Sequence, residues 1–186
     1  MARYFSSLPG QTRHVVKVAD SDEEFAQISA LNYHTFVEEI PQHEPNAART
    51  LTDKFHADNT YIICKDGAEI AGMVACCDRR PFSLDAKVER LDSFLPPHTK
   101  AFEIRLLAVR DAHRHTPVLA LLFRALLSHL RDCHADLAVI SGTTRQLGLY
   151  RKLGFKPFYK LVGKPGAQYQ PMLMSIADLG GMKCLR

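Results

Sequence analysis

The sequence predicts an α/β domain in which helices pack on both faces of one mixed sheet. Three observations lead there. The elements run strand, two helices, three strands, helix, strand, helix, two strands. The dipeptide Asp66-Gly67 between two apolar stretches is a hairpin signal. From Ala101 to Ser141 a strand, helix and strand follow in order, and a right-handed crossover makes those two strands parallel. With 186 residues, 46% apolar and 24% charged, the chain suits one domain with a substantial core. The expected layout is an arm over 1–13, a single domain over 14–177 and a tail over 178–186.

Each element has its own local reason. HVVKVA (14–19) reads as the first strand, and Ser21 with Glu24 reads as a capping box for a helix with Phe25, Ile28, Leu31, Thr35 and Phe36 on one side. Pro41 and Pro45 break that helix, and a second, shorter one is expected from about 47 to 56. TYIICKDGAEIAGMVACC supplies two strands around the hairpin. The stretch 78–100 is long for a connection, so a helical turn or two is expected around Leu84, Val88 and Leu91. AFEIRLLAV (101–109) is a central strand. The next helix has Thr116 as its cap, Pro117 at its first position and a stripe of Val118, Leu119, Leu122, Leu126 and Leu130. DLAVIS (136–141) is the parallel partner strand. Thr143 and Gln146 then mark the start of a short helix through Leu147, Tyr150 and Leu153, which Gly154 ends, and strands at about 156–162 and 169–176 complete the sheet.

Composition excludes several classes. No run of about 18 apolar residues exists, so no membrane span is expected. The opening MARYFSSLPGQTR lacks the apolar stretch of a secretory signal, which makes the cytoplasm the expected location. The five cysteines show no CxxC spacing, and the nine histidines show no zinc-site spacing, so reduced thiols and no metal are expected. From Asp20 to Thr60 nine acidic residues stand against two basic ones, whereas from Thr143 to Arg186 eight Lys and Arg stand against Asp178 alone. The basic end fits phosphates, an acidic protein or plain solvation. Nucleic acid is not expected, because zinc-finger, basic-helix and ribonucleoprotein motifs are all missing.

Strand alternation places Glu103 and Arg105 on one face of the 101–109 strand. Burial of such a pair is tolerable if the two satisfy each other, reach water or line a cleft; a structural ion pair and a catalytic or substrate-holding carboxylate are both open. Tyr150 is open in the same way, between a ring packed in the core and a hydroxyl at a reacting centre. In VRDAHRHTPVLALL, the amides at the start of the helix form a ready phosphate site.

The element order, this turn and the Tyr150-x-x-x-Gly154-Phe155 pattern resemble the GNAT superfamily of acyl-CoA-dependent N-acyltransferases over roughly residues 14–177. The resemblance implies a mainly antiparallel sheet of about seven strands, splayed between the fourth and fifth so that a pantetheine arm lies between them. It implies that the main-chain amides of Leu107, Ala108 and Val109, with Arg114, His115, Thr116, Val118 and Leu119, hold the donor, although Pro117 and His115 stand where glycines are usual. It implies Glu103 as general base and Tyr150 as the acid that protonates the departing thiolate. LNYHTFVEEI, TDKFHADNTYII and FEIRLLAVR are further similar to the N-acyl-homoserine-lactone synthases and N-acyl amino acid synthases, which implies Phe36, Glu38, Asp53 and Arg105 as substrate-binding residues. The expected donor is acyl-CoA, acetyl-CoA or an acyl carrier protein, and the expected acceptor is a small-molecule amine such as an amino acid, with no metal. Monomer and homodimer are both open. The competing reading is a non-catalytic acyl-CoA sensor or protein-docking module.

Overall fold

The computed structural model describes residues 4–5, 14–164 and 168–178. Cys184 and nearly all of the expected tail lie outside the described residues. The chain divides into two compact units, one spanning Met1–Ala75 with Leu106–Ser128, the other Cys76–Arg105 with His129–Arg186.

In the first unit, β1 (Tyr4–Phe5) and β2 (His14–Val18) pair antiparallel, and β2 pairs antiparallel with β3 (Thr60–Asp66). The two-residue Gly67-Ala68 turn leads into β4 (Glu69–Cys77). Gly67 takes a φ of 62° and Ala68 does not follow it, so the positive φ sits at the first central residue alone, as in a type II′ turn. The side chain of Gln27 fastens the turn, donating to Ala68 O and accepting from Ile70 N.

Helix α1 (Asp22–Tyr33) begins as expected, with Ser21 Oγ accepting from Glu24 N. The reciprocal half of the capping box is different. The Glu24 carboxylate accepts from Asp20 N and forms a buried cluster with Lys17 and Lys65. Ile28 and Leu31, 2% and 1% exposed, anchor the helix on Tyr61, Ile63, Ile70 and Met73, each contributing about 1.5–3 kcal/mol through burial. The helix continues as a π-helical turn, His34–Glu39.

The second helix expected near 47–56 does not form. Arg49 has a φ of 50°, and the Asn46 side chain donates to Thr50 O, a local bond that competes with helical ones. Only a 3₁₀ turn, His56–Asp58, follows. Helix α2 (Val118–Asp132) begins after Thr116, whose Oγ1 donates to His113 O and lies 3.4 Å from Val118 N. Gly72 lets this helix approach β4: a Cβ there would stand 2.9 Å from Val118 and 3.1 Å from Ala108 O.

In the second unit, the stretch after β4 forms two 3₁₀ turns, Ser83–Ala86 and Leu91–Phe94, that bury Leu84, Val88 and Leu91 with Phe82 against Val139. Strand β6 (Leu137–Thr143) pairs antiparallel with β8 (Tyr169–Ser175) along its whole length. Helix α3 (Leu147–Lys152) ends at Gly154, φ 94°, as its sequence predicts. The strand expected over 156–162 is reduced to β7 (Lys156–Pro157) and one bridge at Val162.

Strand β5 (Ala101–Val109) begins in the second unit and ends in the first. The strand order is β1-β2-β3-β4-β5-β6-β8-β7, eight strands where about seven were expected, the extra one being β1. Among the described residues no helix is long and apolar enough to cross a membrane.

Candidate active site

Parallel pairing of β5 with β6 covers Ala101↔Leu137, Phe102↔Ala138 and Glu103↔Val139, and no later pair forms among the described residues. Both strands continue, β6 to Thr143 and β5 to Val109. Leu106, with a φ of 52°, interrupts the expected alternation of β5 as a bulge does, a conformation rare for a branched residue.

Glu103, Arg105 and Tyr150 lie in the second unit. Glu103 is 1% exposed. Its Oε1 accepts from Ser83 Oγ (2.7 Å) and Leu84 N (3.0 Å), and its Oε2 accepts from Ser83 N (2.8 Å). Arg105 Nη1 stands 3.7 Å from Oε2. The turn that starts at Ser83 thus presents two amides and a hydroxyl to one carboxylate, with a guanidinium on the remaining side. Three of the acceptor positions of Glu103 are filled in this way, and the carboxylate is almost wholly buried.

Tyr150 is half-buried, and its ring lies on Gly142, where a Cβ would come within 2.8 Å of Cδ2. Burial raises the phenol above its ordinary pKa, while the Thr143 hydroxyl and main-chain N–H at its oxygen pull in the other direction. The hydroxyl of Thr143 makes no capping bond to the following turn, which corrects the capping expectation. The phenol keeps its proton at neutral pH. Nearby, Lys87 Nζ donates to Ser141 Oγ (3.1 Å) and lies 4.7 Å from the centre of the Tyr169 ring.

The other expected residues lie in the first unit. Phe36 is half-buried on the π-helical turn. Glu38 pairs with His34 (2.9 Å) and Arg49 (2.5 Å). Asp53 accepts from Phe55 N and Asn59 Nδ2, and lines a cavity of about 320 Å³ with Phe25, Asn32, Leu51, His56 and Tyr61. Leu107, Ala108 and Val109 follow the bulge. Arg114 donates to Val109 O, Glu39 and Asp111, so its charge has two carboxylate partners. Thr116 N donates to His113 O within the turn. His115 is exposed, and Val118 and Leu119 open α2.

Sequence reasoning missed Ser83, Leu84, Ser141, Lys87 and Gly142. Only Gly142 carried a signal, since a glycine inside a strand marks a close approach.

The family model for the N-acyl amino acid synthase FeeM matches residues 27–177. No curated protein sequence matches. Among solved structures, FeeM from uncultured soil microbes superposes with a TM-score of 0.71 at 16% identity, covering 89% of this chain and 92% of that one. The CoA-dependent acyl-homoserine lactone synthase BjaI, solved with SAM and isopentyl-CoA, gives 0.70 at 18%, covering 82% and 75%. TofI, solved with an inhibitor and MTA, gives 0.68 at 18%, covering 89% and 92%. With over half of its length matched by the family model, the chain belongs to the FeeM family of N-acyl amino acid synthases and is an N-acyltransferase.

Proposed function

We propose that the chain moves an acyl group from a pantetheine thioester, acyl-CoA or an acylated acyl carrier protein, to the primary amine of an amino acid or a similar small molecule. The observation that carries this reading is the Tyr150 ring packed on Gly142 of β6, beyond the last pair that β6 makes with β5, Glu103↔Val139. Beyond Val139, the edge of β6 that faced β5 has no strand partner among the described residues, so its main-chain groups suit an extended, amide-rich arm. The names of the neighbours support the classes: FeeM is an N-acyl amino acid synthase, and BjaI was solved with an acyl-CoA.

The amine attacks the thioester carbonyl, the C–S bond breaks, and Tyr150 gives its proton to the departing sulfur. The amine loses one proton and the thiolate gains one, so the reaction is proton-neutral. Glu103 acts as a positioning residue, holding the Ser83 turn and Arg105 in place, and the amine proton leaves to water. The amides of Leu107, Ala108 and Val109, which the bulge at Leu106 turns out of regular alternation, polarise the carbonyl. Donor phosphates are assigned to the start of α2 and the turn before it, with Arg114, His115, Thr116, Val118 and Leu119. Phe36, Glu38, Asp53 and Arg105 remain the residues proposed to hold the acceptor. An acyl-CoA donor fits a cytoplasmic location.

Incubation with pooled acyl-CoAs, acylated carrier protein and amino acids, read by mass spectrometry, tests the proposal. One N-acyl amide per free thiol is expected. Tight thioester binding with no amide would replace the enzyme reading with the sensor.

A further inference from the structure

We propose that His14, Asp66 and His113 form a binding site for a divalent transition-metal ion, zinc first among them. All three belong to the first unit. His14 opens β2, Asp66 closes β3, and the β2–β3 register sets the two directly opposite each other, so their side chains share one face. His113 ends the 3₁₀ turn Asp111–His113 after β5 and brings its Nε2 to 4.0 Å from Asp66 Oδ2. The two imidazole rings meet edge to face at 6.0 Å. One ligand atom from each residue lies within 4.8 Å of the other two.

A second observation is independent of this clustering. His14 Nε2 is buried and has no hydrogen-bond partner. Such a nitrogen is costly in a folded chain, and a metal is one way to satisfy it. Two imidazoles and a carboxylate are the donor set of an open zinc site, with water at the fourth position, and they disfavour calcium and magnesium. Tetrahedral zinc needs donor atoms roughly 3–3.5 Å apart, a closure that small side-chain rotations supply. In the other group of comparable make-up, His34, Glu39 and Asp111, Arg114 already pairs with both carboxylates. The proposed ion would fasten the turn that leads into α2 to the ends of two strands, independently of acyl transfer.

The test uses the full chain without an affinity tag, stripped by chelator and titrated with Zn²⁺ in a calorimeter. One ion per chain is expected, weakened about tenfold or more in both His14→Ala and His113→Ala, and unchanged in His34→Ala. Zn²⁺ should also raise the melting temperature of the wild-type chain and not that of His113→Ala. Where a variant folds poorly, substoichiometric Co²⁺ added to the wild-type chain should perturb the His14 and His113 imidazole resonances before any other histidine. Absence of binding, binding that survives both alanine variants, or Co²⁺ effects centred on other histidines would overturn the proposal.

Discussion

Replacing Glu103 with glutamine separates a held carboxylate from a free one. The substituted side chain can keep an oxygen towards Ser83 Oγ and Leu84 N, but its amide nitrogen then faces Ser83 N and the Arg105 guanidinium, donors opposed to donors. Loss of the charge-assisted bond from Ser83 N costs about 1.5–3 kcal/mol, and conversion of the other two to neutral bonds costs about 1 kcal/mol each. The sum is about 3.5–5 kcal/mol, a large part of the ~5–15 kcal/mol that holds a domain together. Urea unfolding followed by far-UV circular dichroism reads it: with a slope near ~2 kcal/mol/M, the midpoint should fall by roughly 2 M at an unchanged slope. Ser83→Ala should cost about 1.5–3 kcal/mol, less than its full value in the Glu103→Gln background, because the two share one network. A loss below about 1 kcal/mol for Glu103→Gln would refute the reasoning. It would mean that the carboxylate is solvated and available, and would restore it as a base.

Other outcomes follow from the same geometry. Gly142→Ala places a methyl 2.8 Å from the Tyr150 ring; it should cost about 1–3 kcal/mol in stability and lower kcat more than it raises KM, and unchanged kinetics would show that the ring position does not matter. Glu24 is driven up by burial but is brought below its usual 4.5 by bonds from Asp20 N, Lys17 and Lys65. Its contribution to stability is therefore full above about pH 4.5 and is lost as pH falls through the lower folded value. Lys17, which burial lowers but Asp20 and Glu24 raise above 10.5, contributes fully below that pH and loses its contribution as pH rises through the folded value. Melting temperature against pH checks both limbs: Glu24→Gln should flatten the acid one, and an unaltered slope would count against the cluster. Burial pushes the Cys64 and Cys76 thiols up to about 12, so iodoacetamide at about pH 8 should leave both unmodified in the folded chain. Rapid alkylation of either, seen by peptide mass spectrometry, would contradict their burial.

The parts of this molecule that were legible in sequence are those set by local chemistry. Ser21 starts α1, Gly154 stops α3, Gly67 turns the β3–β4 hairpin, and Val118, Leu122, Leu126 and Leu130 are buried as their spacing requires, with Leu119 half-buried. Features that depend on partners far along the chain were not legible. The carboxylate partner of Arg114, Glu39, is 75 residues away. The hydrogen-bond donors that hold Glu103 come from a turn 20 residues earlier. Leu106 and Arg49 adopt positive φ with nothing in their residue type to announce it, and each changed an expected element. Thr143 has the chemistry of a cap, yet its side chain makes no capping bond to the turn that follows it.

The role of Tyr150 as the acid for the leaving thiol is tested most directly by a leaving-group comparison in single-turnover kinetics. With a pantetheine thioester, Tyr150→Phe should slow amide formation by about 10²–10⁴. With an aryl thioester, whose thiolate departs unaided, the variant and the wild-type chain should react at nearly the same rate. An equal loss with both donors would contradict the proton transfer and leave Tyr150 a packing residue.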